Sequence, residues 1–182
     1  NTGLQDRPPE EFSSLQLWQE LAVIRNLVAL HSQPGAGLRL GQRYHLTSLG
    51  LLGYTMLASR TLMDAIEETN QFRPLAMSIC PVSLHPDKTG LWMALDASVL
   101  PDDARCLVVE RGMAAWKCVY SELLQRPFIP LAVALCIPQA VPAQLYAGHF
   151  ECAVDMQAGC NAMLIAWEDL HSALRESVSA SV

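Results

Sequence analysis

The residues of this chain whose types could do chemistry do not fall into a catalytic arrangement. No Gly-x-Ser-x-Gly, no Walker-type phosphate loop and no His-Glu-x-x-His occurs anywhere in the 182 residues. The adjacent carboxylates Glu67-Glu68 fit one solvated helix face. Asp102-Asp103 fit a helix amino terminus, where they interact favourably with the helix dipole. The sequence therefore predicts a protein that is not an enzyme.

The six cysteines are the remaining candidates for metal binding or covalent chemistry. They stand at positions 80, 106, 118, 136, 152 and 160, with no C-x-x-C pair among them. A site built from Cys80, His85 and a distant cysteine would lack the ligand spacing that is usual for zinc. Most of the cysteines lie inside apolar runs such as Val133-Ala-Leu-Cys136, which favours reduced and mostly inaccessible thiols over disulfides. We expect neither a metal nor a cofactor.

A pocket for a small molecule is the kind of site that the sequence still allows. Such pockets are mostly apolar and contain a few converging polar groups. The predicted apolar lining, between helices of the first half and a sheet of the second, consists of Tyr54, Met56, Trp92, Met113, Trp116 and Tyr120. The predicted polar anchors, suited to an amino acid or another carboxylate, are Arg60, Arg73 and His85. Each aromatic residue or methionine is more often plain core, and each arginine more often surface.

The composition limits the class of protein. Of the residues, 51% are hydrophobic and only 16% are charged, so a ligand cavity or a subunit interface would help to cover the apolar excess. The formal net charge of −6 argues against nucleic-acid binding by this part of a protein, since phosphate contacts need clustered Lys and Arg. No apolar run of about eighteen residues occurs, so we expect no membrane span and a cytoplasmic location.

The first half of the chain predicts helices. Apolar residues at helical spacing predict a first helix from about Ser14 to His31, which the Gln33-Pro-Gly-Ala-Gly37 stretch ends. A short helix from Leu38 to Arg43 and another from Gly50 through Ala58 follow. The pattern Thr61-x-x-Asp64 resembles a capping box and predicts a helix that ends near Phe72-Arg-Pro74.

The second half predicts strands around one long helix. The predicted elements are strands Ala76 to Leu84 and Leu91 to Val99 joined by a turn from His85 to Gly90, a helix from Ala104 to about Gln125, a strand Ile129 to Ile137, an irregular connection Pro138 to His149, strands Glu151 to Met156 and Asn161 to Trp167, and a closing turn or helix Glu168 to Glu176. The long helix should turn one apolar stripe to the sheet, formed by Ala104, Val108, Ala115, Val119 and Leu123. The fold class is therefore α+β, with an N-terminal helical layer followed by a mostly antiparallel sheet packed on a long helix.

Three glycines in the first half carry more information than their neighbours. Gly41, Gly50 and Gly53 are spaced where two backbones approach closely or where a positive φ is needed. If Gly50 and Gly53 both serve close packing, adding a methyl group at either one should destabilise the protein. In an exposed helix the same change should stabilise it instead.

The order of these motifs resembles the amino-terminal effector-sensing domain of AraC/XylS-type bacterial transcription regulators. The stretch from Gly37 to Leu75 reads Gly-Leu-Arg-Leu-Gly, then Gly-Leu-Leu-Gly-Tyr, then Ser-Arg-Thr-Leu before the capped helix, as in the arabinose-binding-domain subfamily that includes ornithine-utilisation regulators. Phe128-Ile-Pro-Leu-Ala-Val, the segment Tyr146 to Phe150, and Gly159-Cys-Asn161-Ala-Met-Leu continue the resemblance, which covers roughly Leu15 to Leu174.

The resemblance implies a function without catalysis. Such a domain binds a small-molecule effector, forms a homodimer and controls a helix-turn-helix module, which is absent from these residues and through which alone DNA is contacted. Residues 1–182 would then form one domain, with a loose lead-in over about 1–13 and a linker over about 177–182. The alternative is a stand-alone α+β sensor domain that binds a small molecule or haem.

Overall fold

The computed structural model describes residues 17–30, 33–71, 79–137 and 142–174. In chain order the elements are α1 (Leu17–Leu30), α2 (Ala36–Gly41), a 3-10 turn (Leu46–Leu49), α3 (Leu51–Ala58), α4 (Leu62–Gln71), β1 (Val82–Pro86), β2 (Gly90–Leu95), α5 (Asp102–Leu124), β3 (Ala132–Ala134), α6 (Ala143–Phe150), β4 (Ala153–Asp155), β5 (Asn161–Ala166) and α7 (Trp167–Leu170). The predicted α+β fold is confirmed. The predicted lead-in, the linker, the start of the first strand and Arg73 lie outside the described residues.

The sheet of the described residues has five strands in the order β1-β2-β5-β3-β4. All neighbouring pairs are antiparallel except β3 and β4, which are parallel. Met93 of β2 lies opposite Met163 of β5, and both side chains are buried. The Tyr120 hydroxyl of α5 donates to the Met93 sulfur at 3.3 Å, which places α5 against this face of the sheet.

The 23-residue helix α5 connects the two halves of the fold. It begins after Pro101, and its end is marked by Gln125 in the left-handed conformation, with φ 53°. Of the expected stripe, Val108, Ala115 and Val119 border an open cleft beside β2. Tyr120, which was not in the expected stripe, contacts the sheet through the Met93 sulfur and borders the same cleft.

Helix α2 packs on α5 with its backbone almost touching that of α5. A methyl group built on Gly37 would lie 2.4 Å from the Leu107 carbonyl oxygen, and one on Gly41 would lie 2.4 Å from the Arg111 carbonyl oxygen. The two glycines are four residues apart and therefore share one helix face. The predicted bounds of this helix, Leu38 to Arg43, are wrong by two residues at each end, because Gly35 with φ 71° already starts the helix.

Gly53 and Gly50 serve different purposes. A methyl group on Gly53 would lie 2.0 Å from the Leu46 carbonyl oxygen, so the expected close approach is confirmed there. Nothing lies within 4 Å of the same group on Gly50, so of the two roles expected, close packing or a positive φ, Gly50 has the second. Gly50 has φ 56° and ψ −132° at the junction of the 3-10 turn and α3. Residues with a side chain rarely adopt this backbone conformation.

The predicted capping box of α4 is confirmed. The Thr61 backbone N–H donates to Asp64 Oδ2 at 3.2 Å, and the Asp64 N–H donates to Thr61 Oγ1 at 3.2 Å. Leu62, Ala65 and Ile66 then fall on the buried side of the helix. Local hydrogen bonding thus sets where α4 starts and which face it buries.

Several elements of the second half differ from expectation. The connection predicted to be irregular contains α6, because Pro142 precedes the first helical residue and does not interrupt the helix. The strand β3 is three residues long and not nine, since the Cys136 N–H donates to the Asn161 side chain at 2.8 Å in place of a strand carbonyl. The strand β2 ends at Leu95 because Asp96 accepts from the Ser98 N–H at 2.9 Å and forms a turn.

No helix in the described part of the chain is both long and apolar enough to cross a membrane.

Candidate ligand-binding cleft

A cleft opens between α3, α4 and α5, with β2 beside it. One part contains about 760 Å³ of free space, counting the mouth that is open to solvent, and a second contains about 690 Å³ counted in the same way. Thr69, Trp116 and Tyr120 border both parts, so the two adjoin. We call the combined space the central cleft.

One wall of the central cleft is a single face of α5. Residues three or four positions apart lie on the same side of a helix, and the α5 residues on this wall are Val108, Arg111, Gly112, Ala115, Trp116, Val119 and Tyr120. The opposite walls come from Leu52 and Met56 of α3 and from Ile66, Thr69 and Asn70 of α4. The lining is mostly apolar and contains a few polar groups, as is typical of small-molecule sites.

Three of the predicted ligand-binding residues come together here. Met56, Trp116 and Tyr120 all border the central cleft, although Met56 is 60 residues before Trp116 in the chain. Two of them are buried, Met56 at 3% exposed and Tyr120 at 4%. The structure therefore brings these three side chains to one site, and their ligand-binding role stays a prediction.

Five of the other predicted residues do not border the central cleft. Met113 is buried in the core at 0% exposed, and the other four, Tyr54, Arg60, His85 and Trp92, lie elsewhere. Tyr54 is 72% exposed, and the Arg60 side chain is 91% exposed and lies 3.7 Å from Asp64. His85 of β1 lies opposite Trp92 of β2 in the sheet. These four residues occupy three separate surfaces, and a role for any of the five in ligand binding stays a prediction.

Arg111 borders the central cleft and was not among the residues predicted to bind a ligand. Its side chain is 17% exposed and its guanidinium lies 3.9 Å from the Glu20 carboxylate of α1. Within the described residues no hydrogen bond joins this guanidinium to a protein acceptor. A signal was present in the sequence, because Arg111 falls at helical spacing between Val108 and Ala115 on an otherwise apolar stripe.

Two uncharged polar groups of the central cleft are also incompletely paired. The Tyr120 hydroxyl donates to the Met93 sulfur, which is a weak acceptor, and burial raises the pKa of this hydroxyl. The Asn70 Oδ1 atom is buried and has no hydrogen-bond partner in the described part of the chain. Buried polar atoms are nearly always paired in proteins, so these groups point to a missing partner.

Cys80 borders the central cleft but is not a reactive thiol. Burial raises its pKa to about 11, and Arg111 opposes this effect only in part. A thiol with this pKa remains protonated near neutral pH and is a poor nucleophile.

A polar cluster on the opposite side of α5 satisfies most of its own hydrogen bonds. Lys117 Nζ donates to the His149 carbonyl oxygen at 2.6 Å and to Glu151 Oε1 at 2.7 Å. The His45 ring contacts the Glu122 carboxylate. Burial, followed by the charge of Lys117, lowers the pKa of the His149 ring. This cluster holds α6 and the residue before the 3-10 turn against α5.

No group of three or more metal-ligating side chains occurs among the described residues.

A buried carboxylate joins three helices. Glu110 is 3% exposed and accepts from the Tyr146 hydroxyl at 2.6 Å and from the Gly37 N–H at 2.9 Å. The Cys106 thiol lies 3.7 Å from the same carboxylate, and burial and the Glu110 charge raise the pKa of this thiol to about 12. The contacts hold α2 and α6 on α5.

The family of the chain follows from comparison with known proteins. The model of the family described as the arabinose-binding domain of AraC transcription regulator, N-terminal, matches residues 1–174. The chain belongs to this family. Asn161, in the last segment that contributes to the family resemblance, is buried at 5% exposed.

Individual relatives agree with this assignment. An uncharacterized HTH-type transcriptional regulator of Mycobacterium bovis and another of Mycobacterium tuberculosis are each 30% identical over 96 residues, which is 52% of this chain and 28% of each relative. The crystal structure of the transcriptional regulator CdpR from Pseudomonas aeruginosa has the same fold, with a TM-score of 0.67 at 18% identity over 92% of this chain and 52% of that one. The chain thus spans only part of the length of these regulators.

Proposed function

We propose that this chain is the effector-sensing part of an AraC-type regulator and binds its effector in the central cleft. The cleft is the observation that carries the proposal, since it is mostly apolar, joins both halves of the fold and has incompletely paired polar groups. Contact with DNA would be made by a helix-turn-helix module of the whole protein, acting in the cytoplasm. The net charge of −6 gives this part little affinity for phosphates.

A neutral fluorescent probe tests whether the central cleft binds apolar molecules. N-phenyl-1-naphthylamine fluoresces on entering an apolar site, and we expect saturable binding of one molecule per chain. The substitution Ala115→Trp would fill the cleft, because Ala115 borders it on α5. This variant should lose probe binding and keep a cooperative thermal transition.

The control adds the same side chain elsewhere. Ala143 is exposed at the start of α6, so Ala143→Trp should bind the probe as the parent protein does. Equal probe binding by the parent and Ala115→Trp would place the binding site outside the cleft and contradict the proposal.

The second part of the proposal is that the chain forms a homodimer. Leu51 and Tyr54, three residues apart on one side of α3, are 67% and 72% exposed. Large apolar side chains at neighbouring exposed positions are typical of interaction surfaces. We expect sedimentation at tens of micromolar to give the mass of a dimer, and a mass of one chain throughout would contradict this part.

A haem-binding domain is a weaker candidate. Haem iron in sensor proteins commonly has a histidine ligand, and the described residues bordering the central cleft include no histidine.

A further inference from the structure

We propose that the central cleft selects an elongated organic monocarboxylate, with its carboxylate at Arg111 and its apolar body lying along α5 towards Tyr120. The inference rests on the proposed function, since it names the chemical class of the effector. Four observations support it. They are the charge of the lining, the incomplete pairing of Arg111, the absence of Asp and Glu from the described lining, and the distance between Arg111 and Tyr120 along α5.

The charge of the lining favours an anion. Among the described residues that border the central cleft, Arg111 is the one that carries a formal charge. The Arg111 side chain is 17% exposed, and a half-buried cation beside an apolar space is stabilised when an anion neutralises it. An anionic ligand would supply this neutralisation from within the cleft.

The pairing of Arg111 leaves it free to bind a carboxylate. A guanidinium has five N–H donors in a planar fork that matches a carboxylate with two parallel hydrogen bonds. Glu20 at 3.9 Å lies beyond hydrogen-bond distance, so it attracts the guanidinium without satisfying these donors. Asp96, whose charge, like that of Arg111, acts on Cys80, is exposed and accepts from the Ser98 N–H at 2.9 Å.

The described lining of the cleft is unsuited to a ligand cation. No Asp or Glu is among the described residues bordering either part. An ammonium group would enter an apolar space next to Arg111 and would be repelled by it. Amines and amino acids with a cationic side chain are therefore disfavoured.

The spacing on α5 sets the length of the ligand. Arg111 and Tyr120 both border the cleft and are nine residues apart, which corresponds to about 13 Å along a helix axis. An extended carboxylate of about eight to ten carbon atoms has a comparable length, at roughly 1.3 Å per bonded carbon along the chain. The side chains between the two ends include Ala115 and Trp116, which suit an apolar body.

Matched probes that differ only in charge test the proposal. Octanoate, octan-1-ol and octylamine share one tail, and 3-phenylpropanoate, 3-phenylpropan-1-ol and 3-phenylpropylamine form an aromatic set. Each compound is titrated into the chain by calorimetry, and thermal unfolding is followed in parallel. We expect at least one of the two anions to bind about tenfold or more tighter than its amine. The reason is that the Arg111 guanidinium can donate a pair of charge-assisted hydrogen bonds to a carboxylate and none to an ammonium group.

Variants assign the preference to one residue. Arg111→Met keeps the aliphatic stem and should remove the preference for the anion while alcohol binding remains. Arg43→Met removes the same charge from an exposed position that does not border the cleft, and it should leave the preference unchanged. Glu20→Gln removes the competing carboxylate and should tighten anion binding, an effect that a purely structural role for Arg111 does not produce.

The outcomes separate this inference from the proposed function. If the neutral naphthylamine probe binds in the cleft and the amines bind as tightly as the anions, the inference is overturned and the proposed function stands. Failure of both anions to bind also overturns the inference. An anion preference that persists in Arg111→Met would assign it to another residue and overturn the inference as stated.

Discussion

Glu110, which is buried, and Arg111, which is half-buried, are neighbouring charged residues on α5 that are paired to different degrees. Glu110 accepts hydrogen bonds from the Tyr146 hydroxyl and the Gly37 N–H, so its charge is satisfied within the protein. Arg111 has one distant carboxylate partner and borders the central cleft. A buried charge with complete pairing stabilises contacts between helices, whereas one with incomplete pairing is suited to a ligand.

Removing the Tyr146 hydroxyl tests the pairing of Glu110. Tyr146→Phe should lower the free energy of unfolding by ~1–3 kcal/mol, because the buried carboxylate loses a donor and nothing replaces it. Denaturant melts measure this change. Tyr54→Phe is the control, since Tyr54 is 72% exposed and its variant should stay within about 0.5 kcal/mol of the parent. Equal stability of both variants would show that the hydroxyl contributes nothing.

Substitutions at Gly53, Gly50 and Gly148 distinguish a glycine needed for close packing from one needed for its backbone conformation. Gly53→Ala should destabilise by ~1–3 kcal/mol, because the new methyl group meets the Leu46 carbonyl oxygen. Gly50→Ala should also destabilise by about 1 kcal/mol or more, in this case through its positive φ, since the space around it is open.

Gly148 is the control for these two glycines. It lies inside α6, has open space around it and has no positive φ. Gly148→Ala should therefore stabilise by up to ~1 kcal/mol, because alanine is the better helix former. Denaturant melts of the three variants give the signs, and stabilisation by Gly53→Ala would refute the close approach.

At the scale of elements, the capping residue Thr61 of α4 allows the contribution of a local hydrogen bond to stability to be measured. Thr61→Ala removes the hydroxyl that accepts from the Asp64 N–H and should cost about 1 kcal/mol of stability. Thr47→Ala is the control, since Thr47 is exposed in the 3-10 turn and no hydrogen bond of its hydroxyl is found in the described part of the chain. A melt of Thr61→Ala that coincides with that of Thr47→Ala would mean that the cap is not stabilising.

Elements that depend on nearby residues were predicted well from the sequence. The start of α4, the hairpin of β1 and β2 and the long helix α5 follow from capping residues, turn residues and periodicity. The length of β3 was not predicted, because it depends on the Asn161 side chain from a strand 25 residues later. Local patterns carry no information on such a distant partner.

The site was predicted less completely than the fold. Met56, Trp116 and Tyr120 were selected as large side chains near the glycine motif or on α5, and the fold brings them together because α3 and α5 both border the central cleft. Arg111 was missed because its importance depends on which face of α5 meets a space and on which acids lie nearby. Both are properties of tertiary packing and not of the helix itself.

At the scale of the whole molecule, the reactivity of the thiols shows which cysteines are accessible to solvent. The expectation of mostly inaccessible thiols is wrong for Cys136 and Cys160, which are exposed, whereas Cys80 is buried. At pH 8 a disulfide reagent should modify these two thiols quickly. The others should react slowly, since burial raises the pKa of each, to about 11 for Cys80 and about 12 for Cys106.

The thiol measurement has a direct check. Denatured protein kept under reducing conditions before the assay should show all six thiols. Replacing Cys136 and Cys160 by serine should abolish the fast phase alone. A fast phase that survives in this double variant would mean that another cysteine is open to solvent.

The contact of α2 with α5 has a mechanical consequence. A Cβ at Gly37 or Gly41 would overlap the α5 backbone, so any change in the position of one helix along the other is opposed by direct backbone contact. We therefore expect α2 and α5 to move together as one rigid pair. If the proposed ligand site is correct, a ligand that displaced Arg111 would move α2 with it, while α3 and α4 on the other side of the central cleft could stay in place.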